Sequence, residues 1–141
     1  MSLLLLVACT RLKEGDYDVD YSPVSIDTCN LYNGGQVGPD AEGELSWDDG
    51  QIVFEFDGDD EELEFEVNGK EFSRSSEYFY QLDDQCSLRA ERDDDGTMLS
   101  NTEFEGETEV TADLTGSCTM WEAMLDTPCL VEFDWEGEYD D

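Results

Sequence analysis

Leu45-Ser46-Trp47-Asp48-Asp49-Gly50-Gln51-Ile52-Val53-Phe54-Glu55-Phe56 decides the fold class. Leu45 and Trp47 alternate with Glu44 and Ser46, and Ile52, Phe54 and Phe56 recur at every second position after the Asp49-Gly50 pair. Successive side chains of a strand point to opposite faces, so this spacing gathers the apolar set on one face. Asp-Gly between two alternating runs is a strong hairpin signal, because a tight two-residue turn needs positive φ at both positions.

The same pattern repeats outward. Leu63-Glu64-Phe65-Glu66-Val67 alternates strictly, and Asn68-Gly69 turns it back into Lys70-Glu71-Phe72. A third hairpin reads Cys86 to Ala90, a turn at Asp94-Asp95-Gly96, then Met98 to Phe104. Val110, Ala112 and Leu114 alternate again, and Leu130 to Trp135 closes the series. The expectation is an all-β chain, an antiparallel meander of about 8–10 short strands forming a lipocalin-like barrel or a sandwich, stapled by disulfides. A barrel has the advantage of leaving no exposed edges. The one helix candidate is Thr119 to Leu125, where Met120, Trp121 and Met124 share a face, and a strand fits there equally well.

Trp47, Phe54, Phe56, Phe65, Phe104, Trp121 and Phe133 are candidates for the inward face, with Phe79 and Trp135 beside them. Such a face either lines a ligand cavity or fills the core, and side chains usually fill the interior of a small barrel. Tyr78-Phe79-Tyr80 places aromatic residues on both faces, which marks an exposed binding patch or a segment covered by a neighbour.

Among the 141 residues, 39 are acidic and 6 basic, and the net charge is −33. No Lys or Arg falls between Lys13 and Lys70, and none follows Arg92. Such a surface repels phosphate backbones, so nucleic acid is not an expected partner. High charge with few apolar residues is the mark of disorder, but aromatic residues at 11% and their alternation point to a folded domain. The acidity runs along the whole domain, which suggests adaptation to salt or colloidal stability more than one local site.

At the amino terminus Leu6-Val7-Ala8-Cys9 ends an apolar run. Leu, an apolar residue, a small residue and Cys match the lipobox of bacterial lipoproteins, in which the Cys9 thiol accepts the lipid. A secretory signal normally carries a basic segment and roughly 7–15 apolar residues. Neither is complete here, which suggests a start assigned too late. The run is far shorter than the roughly 20 residues of a transmembrane helix. By resemblance to the sorting rule of some Gram-negative bacteria, Thr10 in place of Asp favours the outer membrane. The domain plan is therefore a signal remnant over 1–8, a lipidated cysteine and tether over 9–23, a β domain over 24–135 and an acidic tail over 136–141.

With Cys9 set aside, Cys29, Cys86, Cys118 and Cys129 remain. Four cysteines in a small exported domain suggest two disulfides, with three possible connectivities. Sequence proximity favours Cys29–Cys86 with Cys118–Cys129. A zinc site would want histidine or a Cys-x-x-Cys, and the chain has neither.

The lipobox, a cysteine-bearing early strand, Gly-punctuated hairpins, Gly116-Ser117-Cys118 and Thr127-Pro128-Cys129 together resemble the small secreted lipoproteins of myxobacteria and related bacteria. The resemblance implies a cell-envelope address and a lipocalin-like fold.

Chemistry has few candidates. The absence of histidine removes Ser-His-Asp and Cys-His catalysis, and among so many carboxylates a suggestive pair carries no information. An enzyme is not expected, nor any obligatory cofactor. Calcium is a weak candidate at two acidic loops, Asp57, Asp59 and Glu61 in the first and Asp93 and Asp95 in the second. The first departs from the calcium-loop pattern, because Glu62 stands where Gly is needed and Asn68 where Glu is needed. The expected function is a non-catalytic cell-envelope lipoprotein, held to the membrane by lipid, whose acidic β domain binds a partner or serves structurally. The alternatives are a lipocalin-like carrier of a small apolar ligand and a calcium-dependent adhesion or matrix module.

Overall fold

The structure, a computed structural model, describes residues 11–32 and 35–141. Among the described residues nine strands run in chain order: β1 (Gly15–Tyr21), β2 (Ile26–Asp27), β3 (Ala41–Asp48), β4 (Gln51–Phe56), β5 (Glu62–Asn68), β6 (Glu71–Gln81), β7 (Cys86–Met98), β8 (Glu103–Gly116) and, after the one-turn helix α1 (Thr119–Glu122), β9 (Cys129–Tyr139). Each strand from β3 to β9 pairs antiparallel with the next, and β1 joins β3 to β9. Eight strands thus close an up-and-down barrel, and the two-residue β2 adds to β9 beside β1.

The turns follow the local chemistry. Asp49 and Gly50 both have positive φ, 49° and 79°, as the primed turn of the β3–β4 hairpin requires. The β5–β6 loop is Gly69-Lys70, one residue later than the Asn68-Gly69 of the sequence reading, with Asn68 paired to Glu71 and Gly69 at φ 63°.

Three expectations need correction. Asp94-Asp95-Gly96 is no turn: β7 runs unbroken from Cys86 to Met98, and the chain reverses between Leu99 and Thr102. Gly96 sits opposite Phe72, where a Cβ would strike the Phe72 ring, so this glycine serves packing inside a strand. The tether does not extend to residue 23, because Tyr17 and Val19 of β1 are buried and Leu12 before it is 1% exposed. Nor do residues 136–141 form only a tail, since β9 continues through Gly137 to Tyr139 against β1 and β8.

The disulfides also depart from the favoured pairing. They are Cys29–Cys129 and Cys86–Cys118. The first follows from the pairing of β2 with β9, which brings the segment after β2 beside the start of β9. The second ties the first residue of β7 to the loop after β8, where Cys86 faces Gly116.

Inside the barrel, Tyr17, Phe72, Phe104 and Trp135 form an aromatic cluster with ring centroids 5.4–6.0 Å apart. Three of the cross-strand partners are glycines: Gly96 opposite Phe72, Gly106 opposite Trp135 and Gly137 opposite Phe104. At each, the ring lies where a Cβ would otherwise be. The Tyr17 hydroxyl donates to the Lys13 carbonyl at 2.7 Å. Burial, aided by Tyr139, pushes this phenol up to about 12 against the opposing effect of that hydrogen bond.

Candidate functional site

One pleat step along β6 and β7 from the Phe72 layer, the interior changes character. Asp94 on β7 points inward and is 3% exposed. Its carboxylate accepts from Arg92 Nε at 3.1 Å and from an Arg74 guanidinium nitrogen at 3.3 Å. It also accepts from the hydroxyl of Thr108 on β8, which in turn accepts from Trp135 Nε1 at 2.9 Å. The register dictates the grouping: Arg74 and Thr108 stand directly opposite Asp94 on either side, and Arg92 is two residues away on the same face. The guanidinium carbons of Arg74 and Arg92 lie 6.0 Å from the Phe65 and Phe133 rings.

Buried charge is tolerated only when paired and hydrogen-bonded. Among the described residues, no buried side-chain nitrogen or oxygen lacks a partner. Two guanidinium groups against one carboxylate leave a surplus positive charge inside a strongly acidic protein. Tyr21 beside them has its phenol raised by burial, with Arg92 pulling it down and Asp94 pushing it up.

Arg92 and Asp94 border a mostly apolar cavity of about 50 Å³, reached also by Tyr21, Phe56 and Leu63. Pockets for small-molecule ligands measure roughly 300–1,000 Å³. This cavity is thus far smaller than such a pocket. Asp94 accepts from three donors, which fix its orientation.

The other sequence candidates are scattered. Phe54, Phe65, Phe104 and Phe133 are buried in the barrel, and Trp47 and Phe56 pack against them. Trp47 donates from Nε1 to the Leu12 carbonyl at 2.8 Å, with the Arg11 guanidinium 4.4 Å from its ring. Trp121 does not face the interior. It lies on α1 outside the barrel and donates to Asp83 at 2.8 Å, and Phe79 is 63% exposed. Asp83 also accepts from the Gln85 and Cys86 amides, and these bonds, Gln85 first, hold its carboxyl below the usual range. Cys9 lies outside the described residues.

Asp57, Asp59 and Glu61 form an exposed β4–β5 turn in which Asp59 accepts from the Glu61 amide at 3.1 Å. Asp93 and Asp95 point outward from mid-strand and flank the inward Asp94, so they do not form a loop. Three carboxylates with oxygens within 4.8 Å of one another do occur among the described residues, at Asp18, Glu42 and Asp140. Their repulsion, led by Asp18, raises the Glu42 carboxyl.

The Arg74–Arg92–Asp94–Thr108 group escaped the sequence reading because the Asp-Gly signal was assigned to a turn. Carrying period two onward from Cys86 through Ala90, Arg92, Asp94 and Gly96 would have found it. No protein-family model, curated protein or solved structure matches this chain.

Proposed function

We propose that this protein is an exported, lipid-anchored, non-catalytic β-barrel that works through its outer surface. One observation carries the reading: the cavity beside Arg92 and Asp94 measures only about 50 Å³, and the charged groups there are tied to one another. Two disulfides fit an oxidising compartment, and Leu6-Val7-Ala8-Cys9 supplies a lipid acceptor. The second reading, a carrier of a small acyl chain, draws on Arg92, whose further N–H donors beside an apolar cavity suit a carboxylate headgroup.

Titration with a fluorescent long-chain fatty acid separates the two. The surface reading expects no saturable binding. Stoichiometric binding that Arg92→Met abolishes would establish the carrier reading instead. Labelling with a palmitate analogue tests the anchor: label on the wild type and none on Cys9→Ser is expected, and an unlabelled wild type removes it.

A further inference from the structure

β6 has a partner along its whole length on one side only. β7 pairs with it from Glu71 to Gln81, whereas β5 pairs with Glu71, Phe72 and Ser73 and then diverges. Among the described residues, no strand meets Arg74–Gln81 on the side away from β7. A strand edge of this length presents a row of unpaired N–H and C=O groups, which proteins usually blunt with Lys, Pro, a bulge or a cover. Ser75-Ser76-Glu77-Tyr78-Phe79-Tyr80 contains neither Lys nor Pro, and its register with β7 is unbroken. Phe79 is 63% and Tyr80 55% exposed.

A groove of about 520 Å³ follows the divergence, with Glu62, Glu64 and Glu66 of β5 on one wall and Ser73, Arg74 and Ser75 of β6 on the other. The outer face beyond β6 is acidic as well, since Asp93 and Asp95 stand opposite Glu109 and Glu107. An added strand would lie about 4.8 Å from β6, its side chains alternating between the two faces. One set would lie between these carboxylates. The other would face inward, towards Leu63 and Tyr78.

We propose that the free edge of β6 docks an extended peptide segment that alternates Lys or Arg with apolar residues, added to the sheet as a further strand. The inference rests on the surface reading only in placing the partner outside the packed interior. Charge selects the occupant. At a net charge of −33 a second copy of this chain is repelled, while a cationic strand is steered to the groove.

The probe is an acetylated and amidated peptide of four Lys-Val repeats, added to the intact, disulfide-bonded protein at low salt. Calorimetry is expected to show saturable binding, and hydrogen exchange is expected to slow in Ser75–Gln81. A peptide of Glu-Val repeats is expected not to bind. The Lys-Val peptide methylated on alternate backbone nitrogens keeps its charge but cannot pair, and is expected to bind at least tenfold more weakly. Glu62→Gln, Glu64→Gln and Glu66→Gln combined change only exposed positions outside β6, and are expected to weaken binding by a similar factor. Equal binding of the methylated peptide, protection elsewhere, dimerisation through β6, or no binding at all would each overturn the proposal. A fatty acid taken up by the barrel would overturn the surface reading alone and leave the β6 result standing.

Discussion

Asp94 is the buried acid among the described residues, and two guanidinium groups pair with it. Replacing it with Asn keeps the shape but leaves Arg74, 13% exposed, and Arg92, 34% exposed, without a counter-ion. Breaking a buried ion pair in this way costs about 3–5 kcal/mol. The partial exposure of Arg92 places Asp94→Asn near the lower end, about 3 kcal/mol, measurable by urea unfolding. Thr108→Val should cost less, about 1–2 kcal/mol, because it strands only the Trp135 N–H and one of three bonds to Asp94. An Asp94→Asn protein as stable as the wild type would mean the cluster does not hold the barrel. At this scale the sequence was least legible. Asp93, Asp94 and Asp95 look alike in a string, and only the pleat separates one buried anion from two solvated ones.

The hairpins β3–β4 and β5–β6 were legible because each is short-range, with alternation and turn chemistry agreeing within a dozen residues. β1 was missed although Tyr17, Val19 and Tyr21 alternate, because the intervening Asp16, Asp18 and Asp20 read as a solvated tether. Glu136-Gly137-Glu138-Tyr139 was read as a tail for the same reason. In both, a barrel strand needs only one apolar face, and the dense charge belongs to the other. Disulfide connectivity lay beyond local reading, because it depends on β2 returning to β9 across the closure. The two bridges span 100 and 32 residues. By loop-closure entropy they contribute about 4.7 and about 3.7 kcal/mol. Cys29→Ser with Cys129→Ser should therefore destabilise more than Cys86→Ser with Cys118→Ser, by roughly 1 kcal/mol in denaturant unfolding. The reverse order would mean that the β7–β8 bridge holds native structure that the entropy argument omits.

Across the whole molecule, the outer face sets acid against acid. Asp18 faces Glu138 and Glu42, Asp20 faces Glu136, Glu107 faces Asp134, and Glu109 faces Glu132. Like charges directly opposite one another destabilise a sheet, and Glu132 responds with a carboxyl raised by desolvation and by Glu107 and Glu109. Salt shortens the Debye length to about 3 Å at 1 M. Thermal stability should therefore rise steadily with sodium chloride, by about 4 °C for each kcal/mol of repulsion relieved. Calcium chloride at matched ionic strength should do no more if the carboxylates act as a diffuse shell, and a distinct calcium increment in calorimetry would mark a specific site. The same molecule carries an unusual mechanical circuit. Tension applied between its two ends would pass along β1 to Cys29, cross the bridge and leave through β9. The chain between Cys29 and Cys129, 100 residues apart in sequence, sits outside that path. A pull could strip the first and last strands, while β3 to β8 form a slack loop that force does not reach. A domain pulled at both ends would thus yield by a short, fixed extension and then hold.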